Sequence, residues 1–129
     1  MSTYQADPAA TRAYYKANPE QCDCLYCENY RRAFPVHFPE IVKFLDNLGL
    51  SYGHALEIME CGWNEAKDLR LYYAYYPVQG RLEEDTVFYL EGVTLHRAES
   101  ACCPRPTMAP PYFIVEVCVQ LPWVLEETP

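Results

Sequence analysis

Three of the chain's seven cysteines fall in one short run, Gln21-Cys22-Asp23-Cys24-Leu25-Tyr26-Cys27-Glu28-Asn29-Tyr30. If a helix starts near Cys24, then Cys24 and Cys27 stand three residues apart on one helical face, and Cys22, just before the cap, can swing toward them. Three converging thiolates suit zinc, which takes sulfur readily and closes a structural site with four ligands. The cluster supplies Cys22, Cys24 and Cys27, so a fourth ligand has to come from elsewhere: His37, Cys61 or the pair Cys102–Cys103. Two other readings stay open. Small apolar thiols also pack helix starts without binding anything, and this carries at least as much weight as a metal site. Thiol redox chemistry is the third: a helix N-terminus lowers the pKa of its first cysteine. No strand precedes Cys24, however, and the anionic neighbours Glu20, Asp23 and Glu28 disfavour a thiolate. Cys61 and Cys118 fall in predicted strands as core residues, and Cys102–Cys103 fall in a loop.

Few other groups converge. His37, His54 and His96 share no metal-binding spacing. No serine sits in a nucleophile elbow, and the glycines at 49, 53, 62, 80 and 92 form neither a dinucleotide fingerprint nor a phosphate loop. The acidic run Glu83-Glu84-Asp85 reads as a solvated turn. Glu116 interrupts an apolar strand, so it faces solvent, or it sits in a pocket with Arg70, Arg81 or Arg97. Around Tyr72, Tyr73, Tyr75 and Tyr76, alternation puts Tyr73 and Tyr75 with Leu69 and Leu71 toward the core. Tyr72 and Tyr76 then share the opposite face with Arg70. Arg70, Tyr72, Tyr76 and Glu116 are therefore the candidate ligand-binding residues, lining a pocket between sheet and helices. Plain cross-strand packing of the tyrosines is the stronger of the two readings.

The elements that must hold these residues divide by periodicity. Asp7 as cap and Pro8 in a first turn predict a helix over Pro8–Lys16, stopped by Pro19. A second helix is expected from Asp23 to Ala33, with Tyr26, Tyr30 and Phe34 on one face and Pro35 as its end. The third runs from Pro39 to Leu48, with Ile41, Phe44, Leu45 and Leu48 as its apolar stripe and Gly49 closing it. From Glu57 onward the period is two. Leu56, Ile58 and Glu60 share one face, a turn spans Gly62–Lys67, and a strand follows that Pro77 and Gly80 break or bulge. Thr86–Leu90 and Val93–Arg97 read as further strands, and Ala101–Pro111 as an irregular proline-rich loop. Phe113, Val115, Val117, Val119 and Leu121 define the inward face of a long central strand. Short connections without a crossover helix require antiparallel pairing. The fold class is α+β, with N-terminal helices packed on a C-terminal antiparallel sheet of four to five strands.

Bulk properties bound the function. The 129 residues suit a single domain, helical over 8–50 and sheet over 56–125. A net charge of −8, nearly all of it in the sheet half, argues against a nucleic-acid binder. Half the residues are hydrophobic, including 12 Tyr, 5 Phe and 2 Trp, which argues against disorder. No apolar run is long enough to cross a membrane, and residues 1–21 lack an apolar leader, so a cytoplasmic location with reduced thiols is expected. A sheet edge with exposed tyrosines makes a homodimer the expected assembly.

The combination Cys24-x-x-Cys27-x-Asn29-Tyr30, then Phe38-Pro39-Glu40 opening a helix that ends Leu48-Gly49, then Leu121-Pro122-Trp123-Val124-Leu125, resembles a family of small bacterial proteins that carries no assigned activity. Over residues 20–125 that resemblance implies a bacterial, cytoplasmic α+β protein and transfers no functional residue. The expected function is a binding or interaction domain with a structural cysteine cluster, zinc being its candidate cofactor. The alternative is a small enzyme or ligand-binding protein with a Tyr/Arg/Glu-lined pocket.

Overall fold

The computed structural model describes residues 4–84, 87–88 and 90–129, the side chains of 87 and 88 excepted. Its order is β1 (Tyr4–Ala6), α1 (Pro8–Ala17), α2 (Leu25–His37), α3 (Pro39–Asn47), a 3₁₀ turn (Tyr52–His54), β2 (Glu57–Trp63), β3 (Arg70–Leu82), β4 (Val87–Phe88), β5 (Val93–Arg97) and β6 (Tyr112–Leu121). This is the α+β arrangement expected, with three helices ahead of an antiparallel sheet of five strands and β1 added from the N-terminus. No helix among the described residues is long and apolar enough to cross a membrane. Asp85 and Thr86, at the end of the acidic run and the start of an expected strand, lie outside the described residues.

The helices begin and end where local chemistry dictates. In α1 the Asp7 carboxylate accepts from the Ala10 amide at 3.0 Å, with Pro8 in the first turn. The same start is fastened to β3: the Asp7 amide donates to the Gln79 carbonyl, and the Gln79 amide donates to Thr11 Oγ1. At the end of α3 the Leu50 amide reaches the Leu45 carbonyl and the Gly49 amide reaches that of Asp46. That paired closure needs a left-handed residue, and Gly49 has φ +89°. A Cβ at Gly49 would also collide with the Pro8 carbonyl, so this glycine admits the start of α1 as well.

The expectation for α2 needs correcting at both ends. The helix starts at Leu25 because the extended Cys24, not Asp23, caps it, its sulfur accepting from the Cys27 amide at 3.5 Å. It also runs through Pro35 to His37. Proline cannot donate to the carbonyl four residues back, that of Arg31. The Tyr52 hydroxyl donates to that carbonyl instead, at 3.2 Å, so the acceptor keeps a partner. Phe38, biased away from helical ψ by the following Pro39, then separates α2 from α3.

β3 forms the spine of the sheet. One edge pairs with β6 in unbroken register from Arg70↔Leu121 to Gln79↔Tyr112. The other edge takes β2 against residues 70–75 and β1 against residues 80–82. Pro77 neither breaks nor bulges this strand, contrary to the expectation from sequence: it falls in the gap between β2 and β1, where no ladder partner needs its missing N–H. Its carbonyl, on the same side, accepts from the Tyr15 hydroxyl at 3.0 Å. Gly80 is likewise inside the strand; a Cβ there would strike the Gln5 carbonyl of β1. β5 pairs with the far side of β6, and β4 with β5.

The face assignment of β3 is opposite to that expected. Tyr72, Ala74 and Tyr76 are completely buried and face the helices, together with Val78, while Leu71 and Tyr73 lie half-buried on the far face. Both parities of β3 carry aromatic or apolar side chains, so alternation within this strand does not select a face. Pairing with β6 does: Ala74↔Val117 and Tyr76↔Val115 join the inward face that β6 shows cleanly in Phe113, Val115, Val117, Val119 and Leu121. Against this face pack Tyr30, Phe34, Ile41 and Leu45 of α2 and α3. Tyr30 stacks on Phe34 with centroids 4.9 Å apart.

Burying tyrosines requires satisfied hydroxyls. The Tyr76 hydroxyl donates to the Tyr52 carbonyl at 2.7 Å, so at its 2.7 Å contact with Tyr30 it is the acceptor and Tyr30 the donor. Burial raises the pKa of both phenols, which stay neutral. Tyr76→Phe strands a buried carbonyl and the Tyr30 hydroxyl together, whereas Tyr30→Phe leaves the Tyr76–Tyr52 bond intact. In urea denaturation Tyr76→Phe is expected to cost about 1–3 kcal/mol and Tyr30→Phe about 1 kcal/mol or less; the reverse order would contradict this direction of donation.

Candidate metal centre

The cysteine cluster sits where the irregular segment 18–24 enters α2. Cys24 is the N-cap, Cys27 lies in the first turn and is buried, and Cys22 is exposed just outside. The three sulfurs all lie within 4.8 Å of one another. All seven cysteines are unbridged thiols. The backbone that presents the cluster is held from outside: the Arg31 guanidinium donates to the Cys22 carbonyl at 2.8 Å, and the Tyr72 hydroxyl donates to the Tyr26 carbonyl at 3.1 Å. A group of three such sulfurs can hold a metal ion.

The electrostatics of the three thiols are unequal. Burial works against ionisation of Cys24, but hydrogen bonds outweigh it. They come from the Cys27 amide, the Cys22 and Cys27 thiols and the Tyr26 amide, and together they lower its pKa. Cys27 moves the other way, to about 12, first through burial and then through its hydrogen bonds to Cys24 and Cys22. One sulfur therefore accepts while its neighbours donate to it. Further ionisation would place like charges side by side, a repulsion that a divalent cation at the centre would relieve.

None of the expected fourth ligands joins the group among the described residues. His37 ends the same helix, ten residues beyond Cys27, which at 1.5 Å per residue is about 15 Å away. Cys61 lies on β2, electrostatically near Cys118, and Cys103 lies near Glu57 and Glu116. Cys118 and Glu116 belong to the sheet face away from the helices, the parity of β6 opposite to Val115 and Val117.

The four candidate ligand-binding residues do not share a pocket. Tyr72 and Tyr76 are core residues whose hydroxyls are already bonded, in line with the packing reading and not with a ligand-binding face. Glu116 points to the opposite side of the sheet, where it meets His96 at 3.1 Å rather than any arginine. Arg70 is buried and ion-paired: its Nε and Nη2 both reach Glu60 Oε2 at 2.7 Å. Its guanidinium lies 4.4 Å from the Trp63 ring centroid, 5.3 Å from Tyr26 and 5.8 Å from Trp123. This aromatic enclosure adjoins the cysteine cluster in sequence, since Tyr26 stands between Cys24 and Cys27.

Asn29, marked in the sequence only as a member of the Cys24-x-x-Cys27-x-Asn29-Tyr30 run and given no role there, organises this end of the molecule. Fully buried, it donates through Nδ2 to the Tyr72 hydroxyl at 3.3 Å and to the Pro122 carbonyl at 3.1 Å, and its Oδ1 accepts from the Val124 amide at 2.7 Å. The Cys-x-x-Cys-x-Asn run and the closing Leu-Pro-Trp-Val are thereby one contact. Glu60 did carry a legible signal: an acid on the same strand face as Leu56 and Ile58 demands a partner, and Arg70 is that partner. Scans of family models, curated proteins and solved structures match nothing to this chain.

Asn29→Ala is expected to release the C-terminal segment. Hydrogen exchange at the Val124 amide should accelerate strongly, and global stability should fall by about 1–3 kcal/mol from the stranded Pro122 carbonyl and Val124 amide. Unchanged Val124 protection would show that the segment is held by something other than Asn29.

Proposed function

We propose that Cys22, Cys24 and Cys27 bind one thiophilic divalent ion, zinc foremost, as the structural centre of a non-catalytic binding or interaction domain. The observation that carries this reading is the convergence of three sulfurs within 4.8 Å. Tetrahedral zinc with Zn–S near 2.3 Å needs sulfurs about 3.8 Å apart, so closing on the ion asks for movements of about 1 Å or less. Cys22 and Cys24 are exposed, in a segment without regular structure, and can make that movement. The fourth position falls to water or to a group from outside this cluster.

A structural rather than catalytic role is supported by what surrounds the sulfurs. Asn29, Tyr72, Glu60 and Arg70, the polar side chains buried or half-buried near this end of the molecule, each use their hydrogen-bonding groups on one another or on backbone. Such groups fix positions; a general acid or base has to be available to a substrate.

Protein purified under reducing conditions without chelator or nickel affinity resin is expected to carry about one zinc per chain by mass spectrometry. Cys24→Ser separates metal binding from capping, because serine is a preferred N-cap. That variant should keep the metal-free melting temperature and lose the increase that zinc gives the parent. Substoichiometric metal, or a zinc-induced shift that survives Cys24→Ser, would overturn the proposal.

A further inference from the structure

α1, α3 and the 3₁₀ turn enclose an open groove of about 800 Å³, within the size range of small-molecule sites. Its apolar lining includes Pro19, Pro39, Val42 and Tyr52. Its charged lining is Arg12 and Lys16 from α1, Lys43 from α3, and a single acid, Asp46. The three cations are exposed, and among the described residues none of them is ion-paired. Arg12 donates through Nη2 to the Asp46 backbone carbonyl at 3.3 Å, a contact that uses one of its five N–H donors.

This grouping runs against the composition of the chain. Acids outnumber bases 18 to 10. Three cations gathered on one apolar groove without a carboxylate partner make a local positive field within a negative molecule, the condition that focuses a small anion. A polyanion reaching beyond the groove would meet the remaining negative charge. A compact ligand whose charge ends within a Debye length, about 8 Å at physiological salt, does not. Three cations against one acid match a dianion better than a single carboxylate.

We propose that this groove binds a small phosphate monoester carried on an apolar body, the phosphate held by Arg12, Lys16 and Lys43 and the body resting on the Pro19–Val42–Tyr52 lining. No cysteine lines this site.

The test is calorimetric titration of the whole protein with 1-naphthyl phosphate, with inorganic phosphate and 1-naphthol as controls. Saturable one-to-one binding is expected for the ester and markedly weaker binding for either fragment, with affinity falling as salt rises. Lys16→Gln and Lys43→Gln should each weaken binding about three- to fivefold, and the double variant about tenfold, the range for exposed charge pairs. Thermal melts should be unchanged, because neither lysine holds the fold. Absence of saturation at millimolar ester, equal affinity in the double variant, or association with phosphatidic acid vesicles but not with the soluble ester would each overturn the proposal.

Discussion

The seating of α2 on β3 through tyrosine hydroxyls is the constraint on which the rest of the molecule rests. Tyr72 reaches the Tyr26 carbonyl in the first turn of α2, and Tyr76 meets Tyr30 one turn further along. These two tyrosines are four residues apart on β3, on one face of the strand, and both are completely buried. A strand offering hydroxyls at that interval fixes both the height and the rotation of the helix above it. Rotation decides the rest: it leaves Cys24 exposed at the cap with Cys27 buried behind it, and turns Asn29 toward the C-terminal segment and Phe34 toward the core.

The same contact explains why polar atoms are tolerated so deep. Burying a hydroxyl without a partner costs about 1–3 kcal/mol. In this core every buried side-chain nitrogen or oxygen among the described residues has a partner. The chain Tyr30–Tyr76–Tyr52 carbonyl ends on the 3₁₀ turn, and the hydroxyl of that same Tyr52 caps the carbonyl that Pro35 leaves open. A helix-breaking residue, a turn and a sheet strand are thus tied into one network. An all-apolar core of equal volume would bury the same surface, but it would not specify the rotation of α2 as sharply.

What was readable in the sequence follows the range of the forces involved. α1, α3 and the inward face of β6 depend on neighbours within one turn or one strand, and their patterns read correctly. The cysteine group also read correctly as a group, because its three members lie within two turns of chain. The face of β3 did not, since Leu69, Leu71, Tyr73 and Tyr75 form as plausible an apolar stripe as Tyr72, Ala74 and Tyr76. Only the register with β6, some forty residues away, separates them. Pro35 misled for a similar reason: the donor that replaces its N–H sits on Tyr52, in an element with no periodic signal. For Glu116 the sequence offers solvent or an arginine pocket, and the structure gives neither: its partner is His96 on the adjacent strand. An acid in a strand announces that a partner exists and leaves its identity to strand order.

The capping role of Cys24 bears on how a metal would act here. In small zinc modules the unfolded apo-protein gains its structure from the ion, so binding and folding are one event. Here α2 begins at Leu25 with a sulfur already accepting from the Cys27 amide, and its far side is held by Tyr72, Asn29 and the core. A thiolate at that position is also favoured by the partial positive charge of the helix N-terminus. The helix therefore does not wait for the ion. What the ion can order is the irregular stretch before it, residues 18–24, of which Cys22 is the member not yet inside the helix. Metal stabilisation should then appear as local protection of that stretch, with a smaller effect on the core behind it.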